Sequence, residues 1–100
     1  MNTFEKIYKV VSQIPKGKVS TYKKVAEKVG IKNARIVGFA LHANKYPINV
    51  PCHRVVSVKG ELTGYAFGGV KKKKEILKKE GVTFLINKVN LKLHFYRFPN

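Results

Sequence analysis

The chain has 100 residues, a length that supports one packed core and leaves no room for a second catalytic domain. Lys plus Arg number 21 against 5 acidic residues, all of them Glu, for a net charge of +16. With 44% hydrophobic residues spread along its whole length, the chain reads as a basic globular domain and not as a disordered basic tail. Such a charge predicts a polyanionic partner, nucleic acid in preference to membrane, because no apolar run approaches the roughly 20 residues of a transmembrane span. Met1-Asn2-Thr3-Phe4-Glu5-Lys6 lacks the apolar core of a signal peptide, which predicts a cytoplasmic, nucleoid-associated protein. Cys52 is the only cysteine, so no internal disulfide can form. A zinc site would have to combine that thiol with three histidines and a few carboxylates, so thiol chemistry is the stronger expectation, with no metal and no cofactor.

Phe4, Ile7, Tyr8, Val11 and Ile14 recur three or four apart and predict an amphipathic helix that ends before Pro15. After the turn Pro15-Lys16-Gly17-Lys18, Ser20 or Thr21 can cap a second helix with the buried stripe Tyr22, Val25, Ala26 and Val29, stopped by Gly30. Asn33 can cap a third helix from Ala34 to about Ala43, and the short connection predicts a helix-turn-helix. The third helix has an apolar stripe, Val37, Ala40 and Leu41, and an opposite face carrying Arg35, Gly38, Phe39 and His42. That face is either solvated surface or, with an Arg, a bulk-free Gly and an exposed Phe, a nucleic-acid contact.

Pro47 and Pro51 break any helix between Asn44 and Cys52, and the β-branched content of His53 to Val58 predicts a short strand ended by Lys59-Gly60. The glycine-rich loop Gly64 to Gly69 leaves backbone amides free to lie against a flat ligand. Val70 to Glu80 predicts a fourth helix; its Lys71-Lys74 run reads as a solvated face or, at a helix start, as an answer to a phosphate. Val89, Leu91, Leu93 and Phe95 alternate with Asn90, Lys92, His94 and Tyr96, the period of a half-buried strand that packs back on the domain.

A lone cysteine is ordinarily inert packing. Here Pro51-Cys52-His53-Arg54 sets two potentially cationic side chains beside the thiol, surroundings expected to lower its pKa. Cys-His alone is a weak motif, since neighbours on a strand point to opposite sides.

A longer pattern surrounds it. Ile14-Pro15-Lys16-Gly17-Lys18-Val19, Tyr22, Ala34-Arg35, Val37-Gly38, Asn44, Pro51-Cys52-His53-Arg54-Val55-Val56, Gly60, Gly64-Tyr65 and Glu80-Gly81 follow one another in the order and spacing of the O6-alkylguanine-DNA alkyltransferases, and the chain resembles that family from about Ile14 to Gly81. The resemblance implies a mainly α, winged-helix-like helix-turn-helix DNA-binding domain with a short β wing and a C-terminal tail. It also implies a single-turnover repair reaction that moves a methyl or small alkyl group from O6 of guanine in double-stranded DNA to Cys52 after base flipping, by a monomer. On the same ground His53 accepts the thiol proton through a water, Glu80 orients the imidazole, Tyr22 hydrogen-bonds the departing guanine, and Asn44 braces the active-site turn. The carbonyls of Cys52 and Val55 read the guanine amino group, Tyr65 and the amide of Ala66 line the pocket near O6, and Arg35 fills the stack vacated by the flipped base, on the helix that also carries Gly38, Phe39 and His42. With 18 Lys and only 3 Arg in the chain, an Arg at position 35 fits a need for a planar, stacking guanidinium. Arg54 fits a structural role, as an ion pair or carbonyl donor beneath the site.

The chain departs from the family in lacking the N-terminal domain of many members, in Ala66 where some have serine, and in Phe67, which adds bulk to the loop. Its length is also similar to that of the alkyltransferase-like proteins, which bind alkylated guanine and have tryptophan in place of the cysteine. Two alternatives follow: a damage sensor that flips lesions without chemistry, disfavoured by the retained thiol, and a helix-turn-helix transcription factor, disfavoured because Gly38, Phe39 and Ala43 offer few base-reading groups.

Overall fold

The structure, a computed structural model, describes residues 1–99; the tail's last residue, Asn100, lies outside them. Helices α1 (Thr3–Val11), α2 (Tyr22–Val29) and α3 (Arg35–His42) pack around one core formed by Ile7, Val11, Ile14, Val25, Val37, Ala40 and Leu41. The first helix stops before Ile14: Gln13 and Ile14 donate to the carbonyls of Val10 and Val11, a tightened last turn that still carries Ile14 into the core. Thr21, not Ser20, caps α2 by accepting from Lys24 N at 3.1 Å, and Gly30 ends it in the left-handed conformation. Ala34, not Asn33, occupies the cap position of α3 and makes no side-chain cap bond; Asn33 Oδ1, one residue earlier, accepts from Arg35 N at 3.0 Å and steadies the entry to the helix.

Strand β1 (Ser20–Thr21) pairs in parallel with β2 (Val55–Val56), Ser20 opposite Val55. Side chains alternate along a strand, so Val55 faces the helical core while Val56 enters a second cluster with Val19, Leu77, Val82 and Val89. Helix α4 (Gly69–Lys79) closes that cluster through Leu77. The hairpin of β3 (Phe84–Leu85) and β4 (Lys88–Val89) covers it from the other side, with Ile86 at its tip 93% exposed.

The tail is not the strand that its alternation predicts. After β4 the chain turns through the short helix α5 (Leu91–His94), and Leu93 lies 59% exposed, out of step with the buried Val89. His94 explains the departure: its Nδ1 bonds Gly17 O at 2.9 Å and its Nε2 accepts from Thr83 N at 3.0 Å, which fixes the turn against two other segments. Only then does the chain extend, with Tyr96 N donating to Val19 O and Phe98 packing into the helical core. No helix of the described residues is long and apolar enough to cross a membrane.

Gly60 joins the hairpin to the site strand. It has φ +82°, and a Cβ there would meet Val89 O at 2.6 Å. Gly60→Ala is therefore expected to cost on the order of 2 kcal/mol, from left-handed backbone strain and displacement of β4. The midpoint of urea-induced unfolding measures this, and an unchanged midpoint would contradict it.

Candidate active site

Pro51 leads into a single 3₁₀ turn, Cys52–Arg54, where a strand is expected from the sequence; the strand proper is Val55–Val56. The turn is set by Cys52 N donating to Val50 O (2.7 Å) and Arg54 N to Pro51 O (2.9 Å). With 3.0 residues per turn, successive side chains are rotated by about 120° and leave in different directions. Three adjacent residues therefore reach three different environments.

Cys52 faces a cavity of about 680 Å³, walled by Tyr22, Arg35, Gly38, His42, Tyr65 and Ala66 among the expected site residues, and by Thr63 and Val70 among those not foreseen. Asn44, His53, Val55 and Glu80 do not line it and form the layer behind. Phe39, 65% exposed on α3, also lies off the cavity wall.

The layer behind is organised by Glu80 at the C-terminal cap of α4. Its carboxylate accepts from Arg54 Nε (3.0 Å) and the second guanidinium nitrogen (2.7 Å), and bonds His53 Nε2 at 3.0 Å. The remaining Arg54 nitrogen donates to Ile14 O at 2.7 Å, so Arg54 is both ion pair and carbonyl donor, as expected. Burial favours the neutral acid, but the bonds from Arg54 and His53 outweigh it and hold Glu80 below the usual carboxylate range. Burial pushes His53 down, the neighbouring Arg54 and Lys73 charges add to this, and Glu80 only partly restores it. An ionised carboxylate has no proton to give, so the neutral imidazole must carry its proton on Nε2, which leaves Nδ1 as a free base.

Asn44 ties the turn from inside, donating to Val50 O and accepting from Tyr46 N, both at 3.0 Å. Tyr65 lays its ring edge-on to His53, with centroids 6.3 Å apart.

The thiol itself departs from expectation. Burial pushes the Cys52 pKa up, whereas the flanking cations were expected to lower it. The physical reason is direction: Arg54 is neutralised by Glu80, and His53 is uncharged. The groups that do draw the thiol down are the Asn44 amide, the Lys73 ammonium and the backbone amides of Cys52 and His53, and they only partly offset burial.

Lys73 also corrects the reading of Lys71-Lys74 as a solvated face. It is 1% exposed, and its Nζ donates to Val55 O at 2.7 Å and Thr63 O at 3.4 Å, 5.9 Å from the centre of the Tyr22 ring. Burial lowers its pKa to about 8, with the Cys52 charge working against the shift. The available signal was its spacing, since Lys73, Leu77 and Glu80 share one helix face at i, i+4 and i+7. Because the Lys73 charge favours the thiolate and is present below about pH 8, Lys73→Met is expected to slow alkylation of Cys52 by iodoacetamide at pH 7 several-fold, since the rate follows the thiolate fraction. An unchanged rate would show that this charge does not reach the sulfur.

Residues 2–82 match the profile of the 6-O-methylguanine DNA methyltransferase, DNA binding domain. A methylated-DNA–protein-cysteine methyltransferase of Methanothermobacter thermautotrophicus is 44% identical over 78 residues, which cover 78% of this chain and 43% of that protein. The chain thus spans less than half the length of curated relatives such as this one. Among solved structures, S. pombe Atl1, in complex with damaged DNA containing O6-carboxymethylguanine, superposes with a TM-score of 0.82 at 31% identity, over 95% of this chain and 94% of that one. Mycobacterium tuberculosis OGT in complex with DNA gives a TM-score of 0.75 at 37% identity, over 80% and 50% respectively. A profile match over residues 2–82, coming on a site in which a cysteine faces a cavity and a His–Glu–Arg cluster stands behind it, makes this chain a member of the 6-O-methylguanine DNA methyltransferase family.

Proposed function

We propose that this chain repairs double-stranded DNA by moving a methyl or small alkyl group from O6 of guanine to Cys52, once and irreversibly. The observation that carries the reading is a cysteine facing a cavity, with an uncharged histidine held by an ionised glutamate in the layer behind it. The helix pair α2–α3 acts as a helix-turn-helix that sets α3 against the duplex, and the hairpin β3–β4 supplies the wing. The damaged base turns out of the stack into the cavity, and Arg35, on the rim, occupies the space it leaves.

In the reaction Cys52 gives its proton through a water to His53 Nδ1, and Glu80 steadies the imidazolium. The thiolate sulfur attacks the alkyl carbon in line; the S–C bond forms as the C–O6 bond breaks, and the electron pair passes to the guanine. Tyr22 hydrogen-bonds the departing base and supplies the proton that makes it neutral, regaining one from water. His53 then releases its proton to solvent, replacing the one that water gave Tyr22, so the proton lost by the thiol balances the proton taken by guanine. Asn44 keeps the turn rigid, while the Cys52 carbonyl receives the guanine amino group. The Val55 carbonyl, expected to share that role, is buried off the cavity wall and accepts from Lys73. Tyr65 and the Ala66 amide bound the alkyl side of the pocket.

A second reading is lesion binding without transfer. The near full-length likeness to Atl1 in complex with damaged DNA favours it. Incubation with duplex containing O6-methylguanine separates the two: mass spectrometry of the Cys52 peptide is expected to show one added methyl group in the wild type and none in Cys52→Ser, which still binds. An unmodified wild-type peptide under saturating DNA would leave only the binding reading.

Arg35→Ala is expected to slow repair of duplex by about tenfold or more while sparing reaction with free O6-alkylguanine base, which needs no flipping. Arg35→Lys recovers only part, since an ammonium lacks the flat surface that stacks between bases. Equal slowing of both substrates would assign Arg35 to pocket structure instead.

A further inference from the structure

Tyr22 meets a second hydroxyl. Its Oη lies 2.6 Å from Thr63 Oγ1, a short contact between side chains that both line the cavity. Thr63 sits between β2 and α4, just before the Gly64-Tyr65 pair, and is itself part of no motif in the sequence. The backbone beneath it is fixed, because Lys73 Nζ reaches the Thr63 carbonyl at 3.4 Å and the Val55 carbonyl at 2.7 Å. A buried cation thus anchors the segment from which the Thr63 hydroxyl reaches the phenol.

Each hydroxyl has one proton to give, and only one of them can lie between these two oxygens. If Tyr22 donates to Thr63, its proton points away from the base. If Thr63 donates to Tyr22, the phenol proton stays free to point into the cavity, and the phenol oxygen gains a donor as it gives that proton up.

We infer that Thr63 is a positioning residue for alkyl transfer: its hydroxyl donates to Tyr22 Oη, orients the phenol proton toward the departing guanine, and stabilises the charge left on the phenol oxygen. The inference rests on the alkyl-transfer reading and deepens it. As the C–O6 bond breaks, the electron pair moves to guanine, the proton moves from Tyr22 to the base, and the phenolate is held by the Thr63 O–H until water returns a proton. Burial raises the Tyr22 pKa and the Thr63 bond works against that rise, the direction that helps proton donation. A hydrogen bond to an oxygen that becomes charged in the transition state is strengthened there, which is what accelerates a step.

The test compares single-turnover transfer from O6-methylguanine duplex by the wild type, Thr63→Val, Thr63→Ser, Tyr22→Phe and the double variant Thr63→Val/Tyr22→Phe. Thr63→Val is close to isosteric and lacks only the hydroxyl, so transfer is expected to slow by about tenfold. Thr63→Ser restores most of the rate, and Thr63→Val adds no further loss once Tyr22 is Phe. Alkylation of Cys52 by iodoacetamide stays at the wild-type rate in the Thr63 variants, because the thiol is untouched. Wild-type transfer by Thr63→Val, or a full additional loss in the Tyr22→Phe background, overturns the inference while leaving alkyl transfer standing. A wild-type chain that transfers nothing overturns the alkyl-transfer reading and this inference with it.

Discussion

The shared carboxylate of Glu80 is the constraint on which the rest of this site depends. A histidine paired with a carboxylate alone tends to hold a proton, because the charged form gains the Coulomb attraction. Arg54 changes that balance. Burial is the larger force that keeps the imidazole neutral, and Arg54 adds to it: by taking Glu80 in a two-pronged ion pair it satisfies the carboxylate's charge and sets a second positive charge near His53. The same guanidinium reaches Ile14 O, which ties the end of α4, the Cys52–Arg54 turn and the segment after α1 at one point. Removing one partner of this part-buried pair leaves a charge that solvent only partly compensates, so protonation state and fold share one cause.

The site lies along the seam between two small cores. Val55 belongs to the helical cluster and Val56 to the one closed by α4 and the hairpin, an alternation that the two-residue strand β2 imposes. Cys52 is packed at the edge of the first cluster, and Lys73 reaches the strand from the second. The parallel pairing of β1 with β2 also sets Tyr22, the first residue of α2, across from the thiol turn. Short strands suffice because the helices around them, and not the sheet, carry the burial.

How much of this the sequence reveals depends on whether a residue's role is local. Helices α2 and α3, and the ends of α2 at Thr21 and Gly30, are readable because caps and breakers act within a few residues; Pro51-Cys52-His53-Arg54 is readable as a motif and not as the turn it forms. The tail defeats the same reasoning: a period of two is satisfied by its residues, but His94 bonding Gly17 and Thr83 decides the backbone, and those partners are far away in sequence. Lys73 is hidden in a different way. In a run of four lysines composition argues for solvent, and only the position of Val55 O makes one of the four an interior cation. Thr63 gives no signal, since its importance lies wholly in where Tyr22 points. The direction of the thiol shift fails for a related reason: adjacency in sequence counts the charges of His53 and Arg54 without showing that Glu80 takes up one and the other is absent.

Two buried groups of the site, Cys52 and Lys73, act on each other's protonation. Burial raises Cys52 and lowers Lys73, and each group's charge pulls the other back. In the resting protein the thiol keeps its proton, which protects it from adventitious electrophiles, since the thiolate is the reactive form. When a base removes that proton, the new thiolate faces an ammonium already in place, and Lys73 holds its own proton more firmly as a result. In the proposed reaction Lys73 thus acts on formation of the nucleophile. It contributes less to the step proposed to follow, because the negative charge moves from sulfur to guanine within the same cavity while the ammonium stays fixed, and only a difference between the two states changes the rate. In the proposed reaction the leaving group therefore needs a donor of its own, the role proposed for Tyr22, which lines the cavity with its ring centre 5.9 Å from the Lys73 ammonium. The proposal thus assigns nucleophile formation and leaving-group stabilisation to separate residues, and the segment they share is held by the Lys73 bonds to the Val55 and Thr63 carbonyls.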